Sequence, residues 1–445
     1  MLERSDSYDA LTRSFEWPRL PRFNIGVAIC DRWAQRDGDR VAIFGYNEEG
    51  APERLTFAAL KEHSDAFASA LSERGVRPGD RVAVLLPQGF EAAIAHIAIY
   101  KMGAVALPLS TRSGPEALEF RIAASSARAL ATDEAGIGRL KPLLGRLPGL
   151  QTVILSEGAQ RGMAGFWDLV GQHARPFQPV ETRPDDPALM LFSTNPAEKP
   201  KAVLHAHRVL VGHLPGVEMA HEFLPRPGDL AWTPGEWGPV GGLLDLLLPC
   251  LYFGVPVVAS RFETFEADAA LTLIEKMGVR NVSMPPAALN TLRSSERPGQ
   301  RFKLSLRSLV SAGDAVESEV QQWAQAELGV PVNASYGFVE CGMVLASSEA
   351  MGVSRAGAIG KSVPGHRVAV VDDEGRPLPA NTPGQIAVGR PDPAMFLEYW
   401  RDPEATAGRF AAEMMLTTAQ ALVDEDGYFH LFGDEASDEV STPAD

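Results

Sequence analysis

The stretch RVAVLLPQGFEAAIAHIAIYKMGAVALP, residues 81–108, decides the fold. Its first seven residues, 81–87, form an apolar run that predicts a buried strand. An apolar helical segment follows from Gly89 to Met102 and ends at Gly103, and residues 104–108 form a second apolar run. Two continuously apolar strands joined by a helix of about 12 residues are typical of a parallel sheet that is covered by helices on both faces.

The same alternation extends in both directions from this unit. Helices are predicted at residues 58–74, 112–124 and 137–144, with strands at residues 127–131 and 152–155. After a proline-rich patch at residues 175–187, the alternation resumes with strands predicted at residues 188–192, 202–205, 229–233, 255–259, 281–284, 309–311 and 332–334. The sequence therefore predicts an α/β fold with mainly parallel sheets.

The domain organisation follows from changes in this pattern. The patch at 175–187 predicts a boundary between a first α/β subdomain, residues 1–187, and a second one, residues 188–357. From about residue 358, proline and glycine become frequent and short strands such as 368–371 and 385–388 predict a small antiparallel β subdomain, residues 358–434. Residues 435–445 are expected to form a tail.

The composition is that of a globular chain with an acidic surface. The chain has 445 residues, of which 45% are hydrophobic and 22% charged, so global disorder is excluded. Lysine and arginine number 41 against 57 acidic residues, which gives a net charge of −16. Such a charge disfavours nucleic acid and anionic membranes as partners, although a local cationic pocket for an anionic substrate remains possible.

Cysteine usage and hydropathy indicate the compartment. The three cysteines are widely spaced, which argues against a disulfide scaffold and a clustered zinc site: Cys30, Cys250 and Cys341. The N-terminal residues lack the apolar core of a secretion signal, so a cytoplasmic location is expected. Residues 240–260 are long enough to raise the question of a membrane span, but an aspartate and two prolines interrupt them, which favours a buried helix followed by a core strand.

A loop at residues 192–203, FSTNPAEKPKAV, lies between two apolar runs. Its hydroxylated residues, its Asn-Pro turn and its two lysines, Lys199 and Lys201, suit a loop that binds phosphate, because these groups donate hydrogen bonds to phosphate oxygens. Phosphate-binding loops normally rely on glycines, and this loop contains none.

Four stretches in register resemble the motifs of a known family. They are the loop at 192–203, SAGDA at 311–315, YGFVE at 336–340 and DEDGYF at 424–429. Together they resemble the AMP-forming acyl-CoA synthetases, or adenylate-forming ligases, over about residues 20–440. Residues 23–32 and 200–207 are most similar to the medium-chain acyl-CoA and acetyl-CoA synthetase branch.

The resemblance implies ATP or AMP with Mg²⁺, and CoA, as cofactors, and a small-molecule carboxylate or an acyl-CoA as the bound partner. It implies catalytic roles for Lys201 and Glu340, with Glu340 also the Mg²⁺ ligand. The nucleotide-binding residues that it implies are Ser193, Thr194, Gly313, Asp314, Ala315, Tyr336, Gly337 and Gln420. The acyl-binding residues that it implies are Trp237, Gly238, Val240, Ser311 and Ala312.

The residues themselves permit simpler interpretations. Residues 311–315 offer small side chains against which a flat ring can lie, but they also suit an ordinary strand-to-helix turn that Asp314 caps. Glu340 offers the hard oxygen ligand that Mg²⁺ prefers, and Tyr336 a plate for adenine, yet a surface glutamate beside a core tyrosine has the same pattern.

The loop departs from the family pattern. The family has glycines and threonines here, whereas this chain has Asn195, Pro196, Ala197 and Glu198 before the Pro-Lys pair, and Ala202 after it. Pro196 removes an N–H that would face a phosphate. A carboxylate about 5 Å from a phosphate charge, at an effective dielectric constant near 20, costs on the order of 3 kcal/mol. We therefore expect ATP to bind poorly at this loop.

The later motifs depart as well. Gln420 replaces the family's ribose-binding aspartate, and an amide cannot accept both ribose hydroxyls as a carboxylate does. Asp434 follows Gly433 where the family has an arginine, and Val339 replaces a threonine. The chain ends at Asp445, about where the small C-terminal domain carrying the family's adenylation lysine is expected to begin.

Other reactive side chains have ordinary interpretations beside the functional ones. Trp237 begins a segment that resembles the wall of the acyl pocket, although a lone tryptophan also suits a core. His205 and His207 alternate along a predicted strand like a metal pair, but no third ligand has suitable spacing, which favours a core or capping role. Cys341 lacks an evident neighbouring base, which favours a buried thiol over a nucleophile.

Two functional hypotheses remain. The first is an enzyme that activates a carboxylate with ATP to an acyl-adenylate and transfers the acyl group to CoA, with impaired activity in this chain. The second is a non-catalytic homologue that binds an acyl or acyl-CoA ligand, or acts as a scaffold for a partner protein or in a homo-oligomer.

Overall fold

The structure is a computed structural model that describes residues 1–5, 7–193, 199–262, 264–313 and 315–432. Within these residues the strands, in chain order, are β1 (Val41–Gly45), β2 (Glu53–Thr56), β3 (Arg81–Leu85), β4 (Val105–Pro108), β5 (Ala129–Thr132), β6 (Thr152–Leu155), β7 (Ala164–Gly165), β8 (Pro187–Phe192), β9 (Ala202–Ala206), β10 (Ala231–Trp232), β11 (Val257–Ala259), β12 (Asn281–Met284), β13 (Ser308–Ala312), β14 (Val332–Phe338), β15 (Gly342–Ala346), β16 (Lys361–Ser362), β17 (Val368–Val371), β18 (Gly384–Gly389), β19 (Glu398–Tyr399), β20 (Phe410–Ala411), β21 (Met414–Val423) and β22 (Phe429–Phe432).

Helices separate most of the strands. They are α1 (Tyr8–Ser14), α2 (Arg32–Arg36), α3 (Phe57–Glu73), α4 (Phe90–Lys101), α5 (Pro115–Ser125), α6 (Glu134–Leu140), α7 (Phe166–Gln172), α8 (Val209–Ala220), α9 (Val240–Gly242), α10 (Leu248–Phe253), α11 (Ala267–Met277), α12 (Pro286–Leu292), α13 (Pro298–Arg301), α14 (Ser318–Trp323) and α15 (Pro403–Gly408). Short 3₁₀ and π segments extend several of them: Lys141–Arg146 and Glu349–Met351 are 3₁₀, and Val27–Asp31, Leu243–Leu247 and Ala324–Leu328 are π.

Three sheets carry the fold, and we name them by strand order. Sheet I has eight strands in the order β19-β9-β8-β4-β3-β5-β6-β7, and sheet II has nine in the order β16-β15-β14-β13-β12-β10-β11-β1-β2. The pairs from β8 to β7 in sheet I and from β14 to β1 in sheet II are parallel, and the remaining pairs at their edges are antiparallel. Sheet III, of β17, β18, β21, β20 and β22, is antiparallel. The predicted fold class is confirmed.

The predicted boundary at residue 187 does not separate the two large sheets. Strands β8 and β9, which the sequence placed in the second subdomain, pair in sheet I, where Ala106 of β4 lies beside Leu189 of β8. Strands β1 and β2, from the first subdomain, complete sheet II, where Ile43 pairs with Val257. Two exchanges of strands across residue 187 therefore join the halves of the chain.

The unit that predicted the fold has the expected structure. Strands β3 and β4 pair in parallel, with Arg81 opposite Val105, and α4 connects them. Every residue of α4 from Ala92 to Lys101 is buried, so its apolar character reflects packing on all sides. Gly103 has φ +64°, a conformation that favours glycine and that ends the helix. Lys101 is fully buried, and its ammonium lies 2.6 Å from a carboxylate oxygen of Asp31 and of Asp65.

The buried helix expected within residues 240–260 is interrupted. A π segment, Leu243–Leu247, separates α9 from α10. Pro249 lacks the N–H that would bond to the carbonyl of Asp245, so the regular helical ladder cannot continue through this turn. In the described part of the chain, no helix has the length and apolar character needed to span a membrane.

Candidate active site

The candidate site lies where the β8–β9 hairpin of sheet I meets the carboxyl end of β14 in sheet II. Tyr399, in the short strand β19, joins the two places. Its backbone pairs with Val203 of β9, and its hydroxyl donates to a carboxylate oxygen of Glu340 at 2.6 Å. The backbone N–H of Phe396 also donates to the carbonyl of Glu340 at 2.7 Å. The structure thus brings Lys201 and Glu340, far apart in sequence, to one region.

Lys201 lies at the base of the hairpin loop. Its backbone N–H donates to the hydroxyl of Ser193 at 2.9 Å, and its carbonyl accepts from the N–H of Ser193 at 2.9 Å. Its ammonium lies 5.5 Å from the centre of the Tyr399 ring, within the range of a cation–π contact. These contacts fix the root of the loop, with Lys201 half-buried.

Glu340 is buried and has a cation beside it. The same carboxylate oxygen that accepts from Tyr399 lies 3.4 Å from Nη2 of Arg409. The side chain of Glu340 is 7% exposed and that of Arg409 is 24% exposed, so solvent screens this pair only in part. Pairing with Arg409 partly neutralises the carboxylate that the sequence predicted as a metal ligand.

Several residues predicted to bind the nucleotide lie at the ends of β13 and β14. Ala312 and Ser335 are register partners, and the N–H of Gly313 donates to the carbonyl of Ser335 at 2.9 Å. Gly313 has φ +111°, which an L side chain rarely adopts. A Cβ on Gly337 would lie 2.1 Å from the carbonyl oxygen of Gly342, so the close approach of β15 requires glycine there.

Two further predicted nucleotide residues near these glycines, Tyr336 and Ala315, are partly accessible to solvent. The ring of Tyr336 is half-buried and lies 5.1 Å from that of Phe338, edge to face. Ala315 is half-buried as well, and Ser311 is buried in β13. The structure therefore brings these predicted nucleotide and acyl residues to one sheet edge.

A cleft of about 370 Å³ opens beside Lys201. Its wall combines aromatic and basic side chains from the hairpin, from β19 and from the segment after it with one acidic side chain, namely Phe192, Lys199, Lys201, Tyr399, Trp400, Arg401 and the acidic Asp402. Such a wall suits an anion that carries an apolar or aromatic group. This basic cleft on an acidic chain agrees with the local cationic pocket that the composition left open.

The residues predicted to bind the acyl group lie between the two large sheets. Trp237 is 1% exposed and belongs to one hydrophobic cluster with Val240 and with Val310, the residue before Ser311. A Cβ on Gly238 would lie 3.2 Å from the carbonyl oxygen of Leu109, so this segment packs closely on the loop after β4. Glu236 fixes that contact, because its carboxylate accepts from the hydroxyl of Ser110 at 2.6 Å and from the N–H of Thr111 at 3.0 Å.

Gln420 lies apart in sheet III. It is in β21, opposite Gln385 and Phe432, and its side chain is exposed. Its role as a ribose ligand stays a prediction. Thr194, Asn195, Pro196, Ala197, Glu198, Asp314, Gly433 and Asp434, on which other predictions rested, lie outside the described residues.

The two histidines of the loop strand and the neighbouring cysteine are core groups. His205 in β9 and His207 are buried, and burial lowers the pKa of His205 to about 3 and that of His207 to about 4. Nδ1 of His207 accepts from the N–H of Ile25 at 3.1 Å. Cys341 is fully buried, which raises the pKa of its thiol well above the ordinary value. The interpretation of Cys341 as a buried thiol is confirmed.

Sequence reasoning missed Tyr399 and Arg409. Both contact Glu340, yet they follow it by 59 and 69 residues and belong to no motif that was singled out. The available signal was the aromatic pair Tyr399 Trp400 followed by Arg401, a polar and aromatic cluster on a short strand. Nothing local in the sequence marks Arg409.

Known proteins are similar to this chain in sequence and fold. The family model described as AMP-binding enzyme matches residues 30–400. An uncharacterized acyl-CoA ligase of Bacillus subtilis, YtcI, is 27% identical over 397 residues, which cover 88% of this chain and 73% of that protein. The human mitochondrial acyl-coenzyme A synthetase ACSM4 is 25% identical over 428 residues, 93% of this chain and 73% of that protein.

A solved structure agrees in fold. The crystal structure of a Brucella canis acyl-CoA synthetase is 26% identical and superposes with a TM-score of 0.88, covering 97% of this chain and 80% of that one. The match of the family model over most of the chain and the similarity of the whole fold lead to the same conclusion. This chain belongs to the AMP-binding enzyme family and is an acyl-CoA synthetase-like member of the adenylate-forming group.

Proposed function

We propose that this chain is an acyl-CoA synthetase-like protein in which the first half-reaction, activation of a carboxylate by ATP to an acyl-adenylate, is strongly weakened. Its family implies ATP or AMP and CoA as ligands and a small-molecule carboxylate as substrate. In the full reaction the carboxylate oxygen attacks the α-phosphorus of ATP and pyrophosphate leaves, after which the CoA thiol displaces AMP.

The position of Arg409 carries this proposal. Its Nη2 is 3.4 Å from the carboxylate of Glu340, the residue that the family resemblance assigns to Mg²⁺. A unit positive charge about 5 Å from a divalent cation, at an effective dielectric constant near 20, opposes binding by on the order of 6 kcal/mol before screening. The pairing of Glu340 with Arg409 therefore suits Mg²⁺ poorly and supports the proposal.

Two substitutions in the sequence support the same proposal. Glu198 adds a negative charge to the loop that would face polyphosphate, and Gln420 replaces a carboxylate that would accept two ribose hydroxyls. Each weakens nucleotide binding at a different part of the molecule. The effects at separate sites are expected to add.

The remaining residues suit a carboxylate ligand. The ammonium of Lys201 offers a positive charge at the cleft, and Tyr399 holds this region against Glu340. Trp237 and its apolar neighbours would exclude water from an acyl chain. We propose Lys201 as the group that receives the anionic end of the ligand and Trp237, Gly238 and Val240 as the wall beside its apolar end.

A non-catalytic homologue that binds an acyl or acyl-CoA ligand is the second candidate. The indole N–H of Trp237 favours it, because this buried donor has no hydrogen-bond partner among the described residues, and a ligand oxygen would supply one. Three further expectations also stay proposals. They are a homo-oligomer or a partner protein, a cytoplasmic location, and the division at residue 187 into functional units.

A thermal-shift comparison tests the proposed ligand preference. Ligands that bind only the native state raise its melting temperature. We expect octanoate or octanoyl-CoA to raise the melting temperature, whereas ATP with Mg²⁺ at the same concentration leaves it unchanged. A Trp237→Phe variant, which replaces the indole with a smaller aromatic ring and loses the N–H, should reduce the shift with octanoyl-CoA, whose thioester carbonyl could accept from that N–H. Micromolar affinity for ATP with Mg²⁺ in a calorimetric titration would contradict the proposal.

A further inference from the structure

A second cavity, of about 590 Å³, lies near the end of β15 that is farther from the candidate site. Its lining comes from the N-terminal segment, from the segment after α8 and from residues 350–352, and includes Arg4, Ser5, Tyr8, Phe223, Arg226 and Met351. Strand β15 begins at Gly342, next to Glu340, and its five residues run away from that site at about 3.4 Å each. Residues 350–352 follow its far end, so this cavity and the cleft beside Lys201 are separate.

Two guanidinium groups line this cavity without acidic partners. Neither Arg4 nor Arg226 forms an ion pair with any described residue, and Nε of Arg226 is buried without a hydrogen-bond partner among them. The two acids that act on the charge of Arg226 have other partners. Both oxygens of Asp229 accept from Arg307, at 2.7 and 2.8 Å, and the carboxylate of Glu222 accepts from Asn333, Glu349 and Ala350. Burial, and then the charges of Arg307 and Arg4, lower the pKa of the Arg226 guanidinium. An anion placed here would relieve both the repulsion and the missing hydrogen bond.

The cavity also has an apolar wall. The guanidinium carbon of Arg4 lies 5.5 Å from the centre of the Phe223 ring, and Leu11 and Met351 line the same space. The hydroxyl of Tyr8 is committed to the carbonyl of Ser362, at 2.6 Å, so its ring faces the cavity as an apolar and aromatic surface. An inorganic ion would leave most of this wall in water.

The backbone around the cavity is held in a fixed and costly conformation. Glu222 and Phe223 have φ values of +57° and +59°, in a region that non-glycine residues seldom adopt. The carboxylate of Glu222 compensates by accepting from the N–H groups of Glu349 and Ala350, at 2.9 and 2.7 Å. These bonds join the segment that carries Phe223 and Arg226 to residues 350–352. Strain maintained in this way is found at functional sites.

We propose that this cavity binds a small organic anion, with its phosphate or carboxylate between Arg4 and Arg226 and its apolar portion against Phe223 and Met351. The proposal does not depend on the function of the candidate active site. It names a ligand class by shared chemistry, since a planar guanidinium pairs with a phosphate and with a carboxylate through two parallel hydrogen bonds.

Calorimetric titration with three probes tests the proposal on the full chain. Phenyl phosphate and phenylacetate carry the two head groups on the same ring, and inorganic phosphate lacks the apolar portion. We expect phenyl phosphate or phenylacetate to bind at least tenfold more tightly than inorganic phosphate. The stronger of the two identifies the head group that the cavity prefers.

Variants separate this cavity from the active-site cleft. Arg226→Gln and Arg4→Gln should each weaken the tighter probe at least tenfold, and Arg4 is exposed, so its variant is expected to fold normally. Arg13→Gln removes the same charge from the exposed end of α1 and should leave the affinity unchanged. Equal affinity in Arg4→Gln and Arg13→Gln, or no binding of any probe at millimolar concentration, would overturn the proposal.

Discussion

At the scale of single residues, Glu340 has one tyrosine and one arginine as neighbours on the same carboxylate oxygen. A carboxylate in this position accepts a neutral hydrogen bond and a charge-assisted one, and both stabilise it in a site that is mostly shielded from water. The same contacts oppose the approach of a second cation. Glu340 therefore acts as a structural link between β14 and β19 in the described arrangement.

Removal of the cation beside Glu340 is the first prediction. Arg409→Gln should raise the affinity for ATP with Mg²⁺ at least tenfold, because a positive charge next to the metal ligand disappears while the hydrogen bond from Tyr399 stays. Calorimetric titration at fixed Mg²⁺ measures the change. Arg390→Gln, which removes an exposed arginine paired with Glu413, is the matched control and should have no effect. Equal affinities in wild type and Arg409→Gln would remove the support that Arg409 gives to the proposed function.

A pair of glycines offers a second test at this scale. Gly342 and Gly352 have φ values of +66° and +67°, so alanine costs about 1–2 kcal/mol of backbone strain at either position. A Cβ at 342 would lie 2.1 Å from Nε2 of His213, whereas one at 352 would meet nothing within 4 Å. Gly342→Ala should therefore lower the free energy of unfolding by about 1–3 kcal/mol more than Gly352→Ala. Urea denaturation measures both, and equal losses would show that the turn next to Glu340 is not tightly packed.

The sequence identified part of this site. Lys201 and Glu340 follow recognisable motifs at the ends of predicted strands, and the structure joins both regions through Tyr399. Arg409 could not be predicted, because its contact with Glu340 spans 69 residues and depends on how sheet III packs against sheet II. Gly342 was equally hidden, since its close approach to His213 is a tertiary contact.

At the scale of elements, the hairpin loop between β8 and β9 is where the sequence departs most from its family. Ser193 and Lys201 bond to each other across its root, so the hairpin closes in the usual way. The substitutions that bear on phosphate binding lie between these two residues, at positions 195–198, which are outside the described residues.

Restoration of the loop is the third prediction. The triple variant Asn195→Gly, Pro196→Thr and Glu198→Gly should raise nucleotide affinity, because it returns an N–H, a hydroxyl and flexible backbone and removes one negative charge. The charge alone corresponds to roughly a hundredfold in affinity. Fluorescence titration with a labelled ATP measures it, and Glu157→Gln, an exposed acid elsewhere in the chain, serves as the control. No change in the triple variant would mean that phosphates do not bind at this loop.

The local hydrophobic pattern of the sequence predicted the helices and strands better than it predicted which strands pair in each sheet. Continuous apolar runs and helix-ending glycines placed β3, α4 and β4 within about two residues of their observed bounds, in agreement with the usual uncertainty at element ends. The exchange of β1 and β2 into sheet II, and of β8 and β9 into sheet I, was missed, because an apolar strand suits any neighbouring parallel strand. The π segment before α10 was missed because a proline two residues beyond it shifts the hydrogen bonds.

At the scale of the whole molecule, buried neutral histidines make stability depend on pH. Burial lowers the pKa of His96 and His207 to about 4, and that of His205 and His221 to about 3. The unfolded chain binds protons at these groups below about pH 6.5, whereas the folded chain does not until much lower pH. The unfolded state therefore binds more protons in this window, and stability falls as the pH decreases from about 6.5 towards 4.

One of these histidines supplies the fourth prediction. His96 is fully buried in α4, and its pKa is lowered by burial. His96→Leu should reduce the slope of unfolding free energy against pH by up to about 1.4 kcal/mol per pH unit between pH 6 and 4. Ile97→Leu, in the same helix, should change stability without changing the slope. Chemical denaturation across this range measures both, and an unchanged slope in His96→Leu would mean that His96 is protonated in the folded chain.

The most direct test of weakened activation is carboxylate-dependent exchange of labelled pyrophosphate into ATP. The assay reports acyl-adenylate formation alone, without the need for CoA, and a panel of short- and medium-chain carboxylates covers the substrates that the family resemblance suggests. We predict that exchange with each carboxylate is no greater than the background measured without carboxylate. We also predict that the same carboxylates raise the melting temperature of the protein. Exchange clearly above that background with any carboxylate of the panel would contradict the proposal and would show that this chain forms acyl-adenylates.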